Sequence, residues 1–146
     1  MKQHSCGKLK AFFPTKTQAM VILIVDHDAD DVHLFFKAIK SLDFSAHCIA
    51  AYSGTQALEI VNSGVTPALI LLDASMEGMS AIKTMKALRK ERRCKSIPMV
   101  IFGSIDQQAG IGATRAPGNT HYLVRPVENS DLCLALKDFL TLHSGT

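Results

Sequence analysis

Two aspartates, Asp26 and Asp73, are the residues of this chain whose placement most directly suggests chemistry. Asp26 follows the run Val21-Ile22-Leu23-Ile24-Val25, and Asp73 follows Ala68-Leu69-Ile70-Leu71-Leu72. Each run is of the continuous apolar kind that forms a strand buried on both faces. If the two strands are neighbours, the carboxylates meet at one sheet edge, where like charges repel unless a cation or a proton compensates. Carboxylates perturbed in this way mark a candidate functional site.

The neighbourhood of Asp26 is rich in donors, with Asp26, His27, Asp28, Asp30, Asp31 and His33 in one short stretch. His and carboxylates are usual zinc ligands. Once a helix begins, however, these side chains fan around its axis, and acids at its positive end are expected as a solvated helix start. Asp26-His27-Asp28 also has the form of the Asp-x-Asp nucleophile motif of haloacid-dehalogenase-type phosphatases, with Ser104 as a later hydroxyl. The rest of that pattern is absent: no Thr or Val stands two places after Asp28, and no acidic pair follows a late strand. Gly110-Ile111-Gly112 lies well past its strand and lacks the strand, turn and helix registration of a dinucleotide loop.

The elements that must position these groups alternate along the chain. Met20 opens the first strand; Val32, Leu34, Phe35, Phe36, Ile39 and Leu42 give a helix; Ala46 to Tyr52 reads as a second strand. Ser53 is placed as an N-cap, and Ala57, Leu58, Ile60 and Val61 form a helix ending near Gly64. After the third strand, Ile82, Met85 and Leu88 mark a helix, and Pro98 opens the strand Met99-Val100-Ile101-Phe102. The next helix is expected to be short or mobile, because glycines such as Gly110 and Gly112 each cost about 1 kcal/mol in a helix interior. Tyr122-Leu123-Val124 makes a fifth strand, ended by Pro126, and Leu132, Leu134, Leu136, Phe139 and Leu140 supply a last helix. Strands alternating with helices predict a doubly wound, parallel α/β sheet, for which we take the flavodoxin-like order 2-1-3-4-5. In such a sheet the site lies beyond the carboxyl ends of the strands at the switch point, where Asp26 and Asp73 converge.

Composition limits the partners. With 47% hydrophobic and 20% charged residues in 146, one globular core is expected. The first nineteen residues carry Lys2, Lys8, Lys10 and Lys16 and no acid, leaving twelve basic against thirteen acidic residues in the body. Residues 1–19 are therefore read as a flexible extension and 20–144 as the domain. The charge distribution speaks against nucleic-acid binding, which needs clustered cations on a folded surface. Arg89, Lys90, Arg92, Arg93 and Lys95 are expected as a solvated helix end. Cys6, Cys48, Cys94 and Cys133 are scattered, which suits reduced thiols and a cytoplasmic location. No run is long enough to cross a membrane.

Four landmarks in order, Val-Ile-Leu-Ile-Val-Asp ending at Asp26, Leu-Ile-Leu-Leu-Asp-Ala-Ser-Met-Glu-Gly-Met around Asp73, Ile-Pro-Met-Val-Ile and Tyr-Leu-Val-Arg-Pro ending at Pro126, resemble the receiver domains of two-component response regulators. The resemblance covers Met20 to about Leu142. It implies that Asp73 accepts a phosphoryl group from a histidine kinase or phosphotransfer protein. Asp26, Asp73 and the backbone carbonyl of Ser75 would hold Mg²⁺, and Tyr122 matches the aromatic switch position. It also implies a cis peptide bond before Pro126, a downstream protein target, room for a homodimer, and no catalysis beyond slow loss of the domain's own phosphoryl group. At this length the output is expected to pass to another protein and not to an attached effector.

Three positions depart from the family pattern. His27 stands where a second metal-binding acid is usual, and imidazole is a poor magnesium ligand. Gly103 replaces a Ser or Thr whose hydroxyl meets the phosphoryl group, and the adjacent Ser104 substitutes only if the chain has left strand geometry there. Arg125 replaces lysine, keeping the charge but exchanging a compact ammonium for a planar fork. With three pocket positions changed, the competing reading is a receiver-shaped interaction module that works without phosphorylation.

Overall fold

The alternation of apolar runs and amphipathic stretches folds into a sheet covered on both faces. In a computed structural model, residues 20–42, 46–76, 78–112, 119–126 and 128–144 are described; the expected extension 1–19 lies outside them. The strands are β1 (Met20–Val25), β2 (Ala46–Ala51), β3 (Leu69–Asp73), β4 (Met99–Gly103) and β5 (Thr120–Val124). The helices are α1 (Ala29–Lys40), α2 (Gly54–Asn62), α3 (Ala81–Lys90), α4 (Ile105–Gly112) and α5 (Asn129–Ser144), with a 3₁₀ turn at Arg92–Cys94. All pairings are parallel and the order is β2-β1-β3-β4-β5, the flavodoxin-like order expected.

Period-two alternation divides the central strands between two cores. Ile22, Ile24, Leu69, Leu71, Val100 and Phe102 face one way and pack with Val32, Phe35 and Ile39 of α1 and Leu132, Leu136 and Phe139 of α5. Leu23, Val25, Ile70, Leu72, Met99 and Ile101 face the other way and pack with Ala57 and Val61 of α2 and Met85 and Leu88 of α3. Burying each such side chain contributes about 1.5–3 kcal/mol relative to exposure, which is why these strands tolerate no polar residue before their last position.

Helix starts are fixed by short polar side chains. Asp28 accepts the N–H of Asp30 at 2.9 Å, Ser53 that of Gln56 at 3.0 Å, and Ser80 that of Lys83 at 3.2 Å. Gly64, with φ +114°, takes the chain out of α2 as expected of a helix-ending glycine. The α4 helix spans eight residues, so it is short, and Gly110 and Gly112 stand in its last turn.

Three expectations are corrected. Leu134 is 56% exposed, because Leu132 and Leu136 occupy the buried stripe and a residue two steps from each points away; the side chain of Leu140 lies outside those described. Among the described residues no peptide bond is cis, so Arg125–Pro126 has the trans form that X–Pro bonds favour. Arg89 is not a solvated helix end: it is buried, and its guanidinium donates to the carbonyls of Cys94 at 3.0 Å and Asn119 at 2.7 Å, and also to Ile97 O and Thr120 Oγ1. It thereby ties the entry to β4 to the start of β5. Burial lowers its pKa from the ordinary arginine value.

Candidate functional site

The register of β1 and β3 pairs Val25 with Leu72, so the next residues, Asp26 and Asp73, leave the sheet side by side. Both are buried, Asp26 to 1% exposure. Asp26 Oδ1 accepts the N–H of Asp28 at 3.0 Å, and Asp73 Oδ1 accepts that of Ser75 at 3.2 Å. These turns aim both carboxylates across the sheet edge. Asp26 Oδ2 has no hydrogen-bond partner. The Asp26 pKa is raised to about 7, chiefly by burial and also by Asp73 and Asp31, against the lowering effects of the Asp28 N–H and Arg125.

His27 folds over the pair, its Nδ1 3.6 Å from Asp73 Oδ2 and 3.9 Å from Asp26 Oδ1. One donor atom from each of Asp26, His27 and Asp73 lies within 4.8 Å of the others. The remaining acids of the sequence cluster do other work. Asp28 caps α1, Asp30 and His33 are exposed, and Asp31 pairs with Arg125 at 3.1 Å. This dispersal removes both the broad zinc cluster and the Asp-x-Asp phosphatase reading, since Asp28 is committed to the helix start.

Arg125 leaves β5 with its N–H bonded to Gly103 O at 2.8 Å. Its guanidinium reaches Asp31 through Nη2, comes within 4.0 Å of Asp26 Oδ2 through Nη1, and lies 5.3 Å from the centre of the Phe35 ring. The cation thus stands beside Asp26, between it and Asp31. Together Asp31, Asp73, Ser75, Gly103, Ser104, Gln107 and Arg125 line an open cleft of about 300 Å³.

The profile of the response regulator receiver domain matches residues 22–137. The chain belongs to this family. Among its relatives, the two-component response regulator ORR5 of Oryza sativa subsp. japonica is 29% identical over 111 residues, 76% of this chain and 81% of that protein. The bacteriophytochrome response regulator RtBRR superposes with a TM-score of 0.68 at 26% identity, over 83% of this receiver and 78% of that chain. The Mn²⁺-bound form of response regulator Rcp1 superposes with a TM-score of 0.71 at 21% identity, over 87% and 96%, a likeness of fold.

The departures of this receiver now have a geometry. The chain leaves strand geometry after Gly103, and Ser104 caps α4: its Oγ accepts the N–H of Gln107 at 3.1 Å while its own N–H donates to Gln107 Oε1 at 2.8 Å. The hydroxyl lines the cleft, its oxygen accepting from Gln107 and its proton remaining as a donor. Tyr122 turns inward over Gly103 and donates to Ser104 O at 2.8 Å. Burial raises its pKa, with a smaller contribution from Asp73.

Two lining residues escape a reading of the sequence as local patterns. Asp31 looks like an ordinary helix-start acid, and Gln107 carries one local signal, the Ser104-x-x-Gln107 capping box. Gln107 also extends to Ser75, donating from Nε2 to Oγ at 2.7 Å.

A divalent cation fits this end of the sheet. The donors are two carboxylates, one with an unpartnered buried oxygen, beside an imidazole. Such a mixed set suits a borderline cation such as Zn²⁺ better than Mg²⁺, which prefers oxygen throughout. Among the described residues no helix is long and apolar enough to cross a membrane.

Proposed function

We propose that this receiver accepts a phosphoryl group on Asp73 from a histidine kinase or phosphotransfer protein and passes the signal to a protein target by a conformational shift. The supporting observation is that Asp73 and Arg125 line one cleft at the strands' carboxyl ends, with the buried Asp26 carboxylate 4.0 Å from the Arg125 guanidinium. In the transfer, an Asp73 carboxylate oxygen forms a bond to phosphorus, the phosphorus–nitrogen bond of the phosphohistidine breaks, and the departing imidazole keeps the electron pair and takes up a proton. Asp26, Asp73 and the Ser75 carbonyl would hold the divalent cation, Mg²⁺ or a borderline ion, which when bound offsets negative charge at the transferring group. Arg125 adds a fixed positive charge beside the same carboxylates. The domain is a substrate of its kinase and loses its own phosphoryl group slowly; it does no chemistry on other molecules.

Borohydride reduces an aspartyl phosphate to homoserine. Treatment with a phosphodonor, reduction and peptide mapping supports this reading if homoserine appears at position 73. Homoserine elsewhere, or none, counts against it.

One observation favours the alternative, an interaction module that works without phosphorylation. Tyr122 is already turned inward and hydrogen-bonded, with no side chain at Gly103 to relay an event at Asp73. Partner binding unaffected by phosphorylation at Asp73 would support that module.

A further inference from the structure

Gly103 leaves a volume beside Asp73 that another residue fills. A β-carbon on residue 103 would come within 2.6 Å of Gln107 Oε1, so the glycine is what lets the Gln107 carboxamide lie over the end of β4. The orientation of that carboxamide is set by its partners. The backbone N–H of Ser104 can only donate, so the end facing it at 2.8 Å is the oxygen, and the opposite end, the NH₂, faces Ser75.

Of its two N–H groups, one meets Ser75 Oγ at 2.7 Å. The other is left for the cleft that Gln107 lines with Asp73. Ser75 Oγ accepts in this bond, so its own O–H proton is also available to a ligand. Arg125 is more constrained, being held by Asp31 at 3.1 Å, whereas Ser104 Oγ accepts the N–H of Gln107 and, like Ser75 Oγ, keeps its own O–H proton as a donor.

We propose that Gln107 is a phosphoryl-binding residue, donating from Nε2 to a non-bridging oxygen of the group carried on Asp73, with the Ser75 hydroxyl beside it. This rests on phosphoryl acceptance at Asp73 and assigns to a side chain on α4 a contact that Gly103 is unable to make. The carboxamide is held by the same capping box that starts the helix, so the donor is positioned before the ligand arrives.

The test uses beryllofluoride, a tetrahedral phosphoryl mimic, titrated with diamagnetic Mg²⁺ present and followed by ¹⁹F NMR. Gln107→Glu keeps an acceptor for the Ser104 N–H, and hence the cap, but removes the donor; Gln107→Ala removes the donor without adding charge. Gln108→Ala, next in the same helix, controls for helix propensity, and melting temperatures are recorded for all variants. Both Gln107 variants are expected to bind about tenfold or more weakly, the size of one hydrogen bond to a charged group, with Gln108→Ala within about twofold of wild type. Wild-type affinity in Gln107→Ala overturns the inference, even if Gln107→Glu is weak, because repulsion alone then explains the latter. An equal loss in Gln108→Ala also overturns it. Failure of the wild-type protein to bind the mimic overturns the phosphoryl site at Asp73 itself, and this inference with it.

Discussion

The hydroxyl of Tyr122 occupies the space that a β-carbon on Gly103 would need, and from there it donates to Ser104 O at 2.8 Å. The same β-carbon would press on Ala74 Cβ at 2.6 Å. Gly103→Thr therefore restores a hydroxyl only by expelling the ring. The expected cost is about 1–3 kcal/mol, the usual range for overpacking, seen as a lower urea midpoint together with a Tyr122 ring resonance shifted toward that of a solvated tyrosine. An unchanged midpoint and ring environment would show that the ring is not held by the glycine.

Asp26 makes stability depend on pH in a definite direction. Its folded pKa of about 7 lies above the ordinary 3.8, so the folded state holds the proton more tightly. Its contribution to stability is complete below about pH 3.8 and is lost as pH rises through about 7. In chelator, Asp26→Asn should match wild type only below about pH 3.8, gain on it as pH rises to about 7, and be more stable at pH 8 by about 1–3 kcal/mol. Urea unfolding across this pH range checks this; equal pH slopes in the two proteins would remove the buried-carboxylate explanation.

Cation preference should follow residue 27. His27→Asp exchanges an imidazole nitrogen 3.6 Å from Asp73 for a hard oxygen donor. Calorimetric titration is expected to show about tenfold tighter Mg²⁺ binding and weaker Zn²⁺ binding than wild type, following ligand hardness. Equal or weaker Mg²⁺ binding in the variant would count against a cation held beside this residue.

Arg89 is a structural clamp, and its loss should be felt globally. Arg89→Met takes the guanidinium donors from the carbonyls of Cys94 and Ile97 and leaves Asn119 O only the N–H of Met99, for an expected loss of about 2–4 kcal/mol. Arg89→Lys should recover only part, because a single ammonium does not reproduce the fork. A change below about 0.5 kcal/mol in denaturant unfolding, the range of neutral surface substitutions, would return Arg89 to the solvated helix end suggested by its neighbours.

What was legible in the sequence depended on how local its cause is. The runs before Asp26 and Asp73 are apolar because parallel central strands are buried on both faces, so their order, and the meeting of the two acids, followed from alternation and topology. The roles of Arg89 and Asp31 do not show in local pattern because their partners are remote: the acceptors of Arg89 include Asn119, and Asp31 is paired with Arg125. Gln107 sat in a visible capping box, yet its bond to Ser75 is a tertiary contact that no periodicity announces. His27 is a departure from a magnesium site in the sequence, and it is the fold that brings its Nδ1 to within 3.6 Å of Asp73 and 3.9 Å of Asp26.

Intact-mass measurement after incubation with acetyl phosphate and a divalent cation, Mg²⁺ and Mn²⁺ in parallel, tests phosphoryl acceptance most directly. The wild-type protein is expected to gain one adduct of about 80 Da, the mass of a phosphoryl group, and Asp73→Asn to gain none. A wild-type mass that stays unchanged at saturating donor with either cation, or an adduct that persists in Asp73→Asn, would contradict the assignment of Asp73 as the phosphoacceptor.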